Sequence, residues 1–156
     1  TGTLPVVSHA VRWMQEKHGR YDGCCCIYAT SPFLRDHDLT HGRRAIEKGW
    51  LYAFPVCEFP SSIYRSFRTN QEGGVEMLFP DQQGSRSQDL ERTFYDAGQF
   101  YWGTSEAWTN QLPIFGSRSY AIEVPRRFVH DIDTEEDWFL AERFYGALGL
   151  DGPGDG

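Results

Sequence analysis

The chain has 156 residues, with 15 Lys and Arg against 22 Asp and Glu, a formal charge of −7. That length fits one domain with a real hydrophobic core. The acidic balance offers no basic footprint for nucleic acid, so an anionic substrate must be met by a local positive site or a metal. No apolar run reaches the length of a membrane span and no secretory leader pattern is visible, so neither nucleic acid nor a membrane is expected as a partner.

Thr3 can cap a first helix with Pro5 in its first turn. Val6, Val7, Ala10, Val11 and Met14 recur on one face at helical spacing, and Gly19 ends the run. Residues 24–29 read as a short strand buried on both faces, of the kind found in parallel sheets. Its three adjacent cysteines, Cys24, Cys25 and Cys26, fit neither a disulfide framework nor zinc spacing, so reduced, buried thiols are expected. At its carboxyl end stands Tyr28-Ala29-Thr30-Ser31-Pro32-Phe33-Leu34-Arg35. Ligands of open α/β sheets bind beyond such strand ends; Thr30 and Ser31 offer hydroxyls there, although an ordinary strand-to-helix turn explains the same residues. Residues 36–48 form a second predicted helix, stopped by Gly49. It carries His37 and His41 four apart, with no glutamate of the HExxH type nearby. Residues 50–59 are the next strand, and this strand–helix–strand order predicts a right-handed crossover and a parallel sheet.

The pattern then changes. Residues 63–69 and 75–79 flank Gln71-Glu72-Gly73-Gly74, a hairpin signal. Residues 81–91 are polar; within them Arg86 can grip a carboxylate or phosphate in bidentate fashion, or simply be solvated. In Tyr95-Asp96-Ala97-Gly98-Gln99-Phe100-Tyr101-Trp102-Gly103 alternation puts Gln99 and Tyr101 on one face of a strand, 99–102, which Gly103 ends. Residues 104–110 read as a short helix and Leu112, Pro113, Ile114 and Phe115 as a loop. A strand over 119–124 leads to Val129-His130-Asp131-Ile132-Asp133-Thr134-Glu135-Glu136-Asp137-Trp138. In extended backbone Asp131 and Asp133 share a face, and two adjacent carboxylates repel unless a cation or proton lies between them. Mg²⁺ suits such a pair. Alternatively, Asp133 or Thr134 caps the helix that follows. That helix, 135–148, is expected to turn Trp138, Ala141, Phe144, Tyr145 and Leu148 inward, and 151–156 read as a frayed tail.

Four of these stretches, taken together and in order, resemble the cytidylyltransferases that activate nine-carbon keto acids, and within them the pseudaminic acid branch. They are the stretch from Tyr28 to Arg35, Arg86-Ser87-Gln88-Asp89-Leu90-Glu91, the stretch from Tyr95 to Gly103, and Asp131-Ile132-Asp133-Thr134-Glu135-Glu136-Asp137-Trp138. The resemblance implies a three-layer, Rossmann-like nucleotidyltransferase fold with a mainly parallel sheet and a β-hairpin dimerisation arm over about 60–92, inserted in a single domain, 1–156. It implies a cytoplasmic enzyme that joins CTP and pseudaminic acid to give CMP-pseudaminic acid and pyrophosphate. Asp131 and Asp133 match the family's Mg²⁺-binding pair. Thr30 and Ser31 border the cytidine pocket, where Tyr28 replaces the Gln of the sialic acid enzymes. Tyr101 matches the aromatic that lines the sugar site, with Gln99 beside it and Phe115 near its aromatic partner. Arg86 and Gln88 fall in the arm, where a residue can reach the sugar site of the other subunit of a homodimer. The family's opening strand and basic glycine-rich phosphate loop have no counterpart in the chain. The domain is therefore expected to be incomplete at its N-terminus, and the 156 residues alone to neither bind CTP tightly nor turn over. A synthetase for sialic or legionaminic acid, and a non-catalytic remnant of the same fold, are the rival readings.

Overall fold

The computed structural model describes residues 2–150, so the predicted tail over 151–156 lies outside the described residues. In chain order the elements are α1 (Thr3–His18), β1 (Gly23–Ile27), α2 (Asp36–Glu47), β2 (Tyr52–Glu58), β3 (Phe67–Thr69), β4 (Val75–Met77), β5 (Phe94–Asp96), β6 (Phe100–Thr104), α3 (Ser105–Thr109), β7 (Ser119–Glu123) and α4 (Glu135–Ala147). The N-cap of α1 is Gly2, and Thr3 is its first helical residue rather than its cap.

The sheet corrects one expectation. Among the described residues only β2 and β7 pair in parallel, from Tyr52 opposite Ser119 to Val56 opposite Glu123. The pairs β1–β6, β2–β6 and β2–β5 are all antiparallel, so the sheet is mixed and antiparallel-dominated rather than mainly parallel. The physical reason is an insertion. The strands joined by α2, β1 and β2, do run in the same direction, but β6 lies between them and runs against both. Local sequence specifies the crossover; which strand later fills the gap is a long-range choice.

Both faces of the sheet are covered, which gives the three layers. On one face Val7 and Val11 of α1 and Ala107 and Trp108 of α3 pack on Tyr52, Phe54, Val56 and Tyr101. On the other, Ala45 of α2 packs with Ala53, Cys57, Phe100 and Ile122. As a result β2 is buried from Tyr52 to Cys57. The cysteines of β1 are free thiols, only half-buried, and burial raises the thiol of Cys25 to about 12. Two helices keep less of their apolar surface inside than periodicity implies. Val6 and Met14 of α1 are exposed, and on α4 only Ala141 is buried while Trp138 and Phe144 are exposed.

The hairpin stands apart as its own two-stranded sheet, with Phe67 opposite Met77 and Thr69 opposite Val75. Its turn is held by Asn70, whose Oδ1 accepts from the backbone N–H of Glu72 (3.1 Å) and Gly74 (2.7 Å). Phe67 and Val75 are exposed on it. Where the chain returns to the body, the Arg92 guanidinium donates to Glu58 at the end of β2 and to Glu123 at the end of β7, at 2.9 and 2.8 Å.

Gly103 does not end its strand. It continues β6 to Thr104, whose hydroxyl accepts from Ala107 N–H and caps α3. The glycine is needed because Trp108 crosses directly over it. A Cβ at 103 would lie 2.5 Å from Trp108 Nε1 and 2.7 Å from Tyr52 Cε1. Both rings are fully buried and fixed by hydrogen bonds, Trp108 Nε1 to the Cys24 carbonyl and Tyr52 Oη to the Leu112 carbonyl, each at 3.0 Å. Neither can move aside without giving up the hydrogen bond of its buried N–H or O–H. Gly103→Ala should therefore cost about 3 kcal/mol, the upper range for overpacking a rigid core. A lower urea midpoint with an unchanged m-value is the expected observation; an unchanged midpoint would show that the indole relocates freely.

Candidate functional site

The site is built around an offset in the sheet. Between its pairings with β6 and β5, β2 advances three residues, from Ala53 to Val56, while the opposite side advances six, from Trp102 to Asp96. Three residues are therefore extra on that side. Gly98 takes φ +64° there, and the Oδ1 of Asp96 accepts from its N–H at 3.0 Å, an Asx-type turn. The offset falls opposite Pro55, which has no N–H to give to a ladder but whose carbonyl accepts from Ala97 N–H at 3.0 Å. Proline in a strand is tolerated at such bulges.

The offset turns Gln99 into a junction. Its carbonyl accepts from Tyr28 N–H (3.0 Å) and from the Ser31 hydroxyl (3.1 Å). Its side-chain amide donates to the Phe128 carbonyl at 2.5 Å. Tyr101, two residues on, is buried, with its hydroxyl donating to Asp96 Oδ2. Burial and then the Asp96 carboxylate push the phenol pKa up, so it stays a neutral donor. Its ring meets Tyr28 edge-on at 5.6 Å and Phe54 at 5.7 Å, and Phe54 meets Phe115 edge-on at 5.3 Å. The Tyr28 hydroxyl is 2.5 Å from Thr3 Oγ1. Tyr28, Phe54, Tyr101 and Phe115 thus form a continuous aromatic wall.

The aspartate loop follows β7 and a short turn over Arg126–Phe128. The cap of α4 is Thr134, not Asp133. The Thr134 hydroxyl accepts from Asp137 N–H, while Asp137 Oδ2 accepts from Thr134 N–H and Asp133 N–H. The Thr134 hydroxyl also donates to Asp137 Oδ2 at 2.7 Å, and this bond foremost, with the two backbone N–H donors, lowers the pKa of Asp137. The capping reading and the metal reading therefore fall on different residues. Asp131 and Asp133 are exposed, and Asp131 Oδ1 accepts only from the neighbouring Ile132 N–H. Among the described residues neither carboxylate forms an ion pair, and no group of three His, Cys, Asp or Glu stands ready for a metal. Two free carboxylates fit Mg²⁺, which takes one or two and completes its shell with water and phosphate. A cavity of about 350 Å³ adjoins the loop, lined by Pro32, Ile132, Trp138, Ala141, Glu142 and Tyr145.

Phe128 joins this loop to the rest. The guanidinium of Arg35 lies 4.5 Å from its ring centre and that of Arg127 4.8 Å. Arg35 is fixed in turn by a bidentate bond to Asp38, at 2.7 and 2.9 Å, and Asp38 is 2% exposed. A buried carboxylate needs such a partner. His130 packs edge-on between Phe33 and Phe144, and its Nε2 donates to the Asp137 carbonyl at 2.8 Å.

The structure thus links Ser31, Gln99, Tyr101 and Phe115 in one chain of contacts that reaches Asp131 and Asp133 through Phe128. Thr30 is exposed in the turn after β1. Arg86 and Gln88 are exposed on the arm and make no side-chain hydrogen bond among the described residues. Gln99 is 3% exposed and faces inward to Phe128 rather than outward. His37 and His41 stack at 4.6 Å on an exposed helix face, without a third ligand among the described residues. Phe54, Asp96 and Phe128 escaped the sequence reading as site residues. The Asp96-Ala97-Gly98 order, which favours an Asx turn, was the available signal for one of them.

No family model matches the chain. It is 38% identical over 141 residues to the pseudaminic acid cytidylyltransferase of Campylobacter jejuni, a match covering 90% of this chain and 61% of the relative. It is 33% identical over 132 residues to a Helicobacter pylori protein named as pseudaminic acid cytidylyltransferase and UDP-2,4-diacetamido-2,4,6-trideoxy-beta-L-altropyranose hydrolase, covering 83% of this chain and 25% of that one. Among solved structures, CMP:2-keto-3-deoxy-manno-octonic acid synthetase complexed with CTP superposes with a TM-score of 0.58 at 12% identity, over 94% of this chain and 68% of that one. That likeness shows the nucleotidyltransferase fold. The chain spans about 60% of the length of the Campylobacter relative. Over nine-tenths of its own length, the chain is a homologue of the pseudaminic acid cytidylyltransferases.

Proposed function

We propose that the chain is the part of a CMP-sugar synthetase that carries the metal carboxylates and the sugar-facing wall, and that the reaction is cytidylyl transfer from CTP to pseudaminic acid. One observation carries this reading. The two carboxylates of the Asp131–Asp133 loop are released from capping by Thr134 and tied, through Phe128 and Gln99, to a wall containing Tyr101 and Phe115. In the reaction the anomeric hydroxyl oxygen of the sugar acid bonds to the α-phosphorus of CTP. The bond from that phosphorus to the pyrophosphate oxygen breaks, and the hydroxyl proton passes to solvent water. Bound Mg²⁺ supplies neutralisation of charge on the phosphate oxygens. The role of Asp131 and Asp133 is to hold that ion. Thr30 and Ser31 lie at the carboxyl end of β1, where the nucleotide of an α/β sheet sits. Phe115 offers the sugar an exposed apolar face, and the buried Tyr101 ring backs it through Phe54. CTP as co-substrate makes the cytoplasm the place of action.

The assay is pyrophosphate release from CTP by the gene product that contains this chain, with pseudaminic, legionaminic and N-acetylneuraminic acids offered in turn. Pseudaminic acid should give the highest kcat/KM; a preference for either of the others would reassign the substrate. In the same assay Asp133→Asn should lower Mg²⁺-dependent turnover by about 100-fold or more, because a lost charge ligand weakens several kcal/mol of charge stabilisation. The carboxylate is exposed and takes no part in the cap, so the thermal midpoint should hardly move. Wild-type rate with wild-type Mg²⁺ dependence in that variant would remove the metal assignment.

The arm supports a homodimer. A two-stranded ribbon is marginal unless it packs on something. This one exposes Phe67 and Val75, with Leu78 and Phe79 beyond them, and Arg92 fixes its base to β2 and β7. A second copy meeting it about a two-fold axis buries both hairpins by the same contact. It also offers Arg86 and Gln88 a site in the other subunit. Sedimentation equilibrium should give a dimer, and Phe67→Asp with Val75→Asp a monomer; a wild-type protein that stays monomeric at all concentrations would refute the assembly.

A further inference from the structure

We propose that Gln99 is a positioning residue: its buried amide sets the place of the Asp131–Asp133 loop by holding Phe128, and it does not itself touch substrate. This rests on the reading of those aspartates as the Mg²⁺ carboxylates. The evidence is geometric. Gln99 is 3% exposed, and its Nε2 donates to the Phe128 carbonyl at 2.5 Å, three residues before Asp131. The Gln99 carbonyl is engaged as well, by Tyr28 N–H and the Ser31 hydroxyl. One residue therefore connects three walls of the site: the turn after β1, the offset before β6 and the entry to the aspartate loop. Phe128 is the shared point. Gln99 holds its carbonyl, while Arg35 and Arg127 flank its ring and the buried Asp38 fixes Arg35.

Beyond Phe128 the loop is held by few hydrogen bonds. Asp131 and Asp133 are exposed and Ile132 is half-buried. The remaining ties are Val129, packed on the core of Ala53, Phe100 and Ile122, the His130 ring against Phe33, the His130 bond to the Asp137 carbonyl and the Asp133 N–H bond to Asp137. The last two reach forward to α4, which itself buries only Ala141. A directional, hydrogen-bonded link back toward the sheet runs from the Phe128 carbonyl to Gln99. A carboxylate pair must be held to within about half an ångström to serve a cation that also grips substrate phosphates, and a carbonyl bonded to a buried residue at the head of β6 meets that need from the side opposite the helix cap.

The test uses Gln99→Met, which keeps the length and apolar stem but cannot donate, and Phe128→Leu, which keeps the carbonyl bond but removes the ring from the two guanidinium groups. Both are made in the gene product that contains this chain, and Asp133→Asn serves as reference. Hydrogen exchange of amides 129–133 should quicken by about tenfold or more in Gln99→Met while the amides of β2 stay protected. The half-saturating Mg²⁺ concentration should rise about fivefold or more, with kcat at saturating Mg²⁺ falling by less than about threefold, as for a group that orients ligands. Phe128→Leu should shift both readouts the same way by less. A purely structural role would lower the melting temperature and leave the Mg²⁺ dependence in place. Unchanged exchange over 129–133 in Gln99→Met overturns the proposal, as does faster exchange with unchanged Mg²⁺ dependence. Failure of the metal reading would look different: Asp133→Asn would keep its Mg²⁺ dependence whatever Gln99→Met did to exchange.

Discussion

Pro55 imposes the constraint on which the site depends. It sits in the middle of the most buried strand, where its neighbours Phe54 and Val56 pack on one face of the sheet and its ring replaces a ladder N–H. The partner side answers with three extra residues, and those residues are what make the site. Without the offset, Gln99 would be an ordinary ladder residue, Asp96 would not turn back to meet Tyr101, and Ser31 would have no carbonyl to bind. A local defect of donor chemistry in β2 is thereby converted into a junction between β1, β6 and the loop after β7. Gly98 makes the conversion possible because its φ of +64° is open to glycine at no cost.

The polar groups around that junction are arranged so that burial and charge are matched pair by pair. Asp38 is almost wholly buried and takes a bidentate guanidinium from Arg35. Such a pair is weak evidence for stability but strong for position, since removing either partner strands the other. The Tyr101 phenol, whose pKa burial raises, remains protonated beside Asp96 and so serves as a donor. Asp131 and Asp133 are the exception to the matching. They are charged, exposed and without a protein cation, on a chain whose net charge is already −7. Among the described residues no Lys, Arg or His neutralises either of them. The local positive charge, from Arg126 and Arg127, lies in the turn that leads into the same loop.

How much of this could be read in advance differs from element to element, for stated reasons. Helical periodicity located α1, α2 and α4, and the turn residues located the hairpin, because those signals are local. It was less informative about how deeply each helix is buried. Val6 and Met14 of α1 and Trp138 of α4 have the right spacing for an inner face yet are exposed. Whether an apolar stripe is covered depends on the surface opposite, and spacing carries no information about that. Gly103 looked like a strand terminator on composition, but the structure uses it as the crossing point for Trp108. Pro55 was the one signal that could have announced the offset, since a proline inside a buried strand calls for a bulge in its partner.

The sequence by itself determined the residue types of the site and their order: the hydroxyls after β1, the aromatic strand, the aspartate pair and the helix it precedes. It also determined the capping chemistry, since a threonine with an acid three positions later is a local arrangement that needs no tertiary partner. Only the tertiary structure decided that β6 enters between β1 and β2, which made the sheet antiparallel-dominated. Only it decided that Gln99 faces Phe128 instead of a substrate. Both are choices among partners distant in the chain, 51 positions separating Tyr52 from its partner Gly103 and 29 separating Gln99 from Phe128. Periodicity assigns a side chain to a face, whereas the group that waits on that face is set by how the layers close.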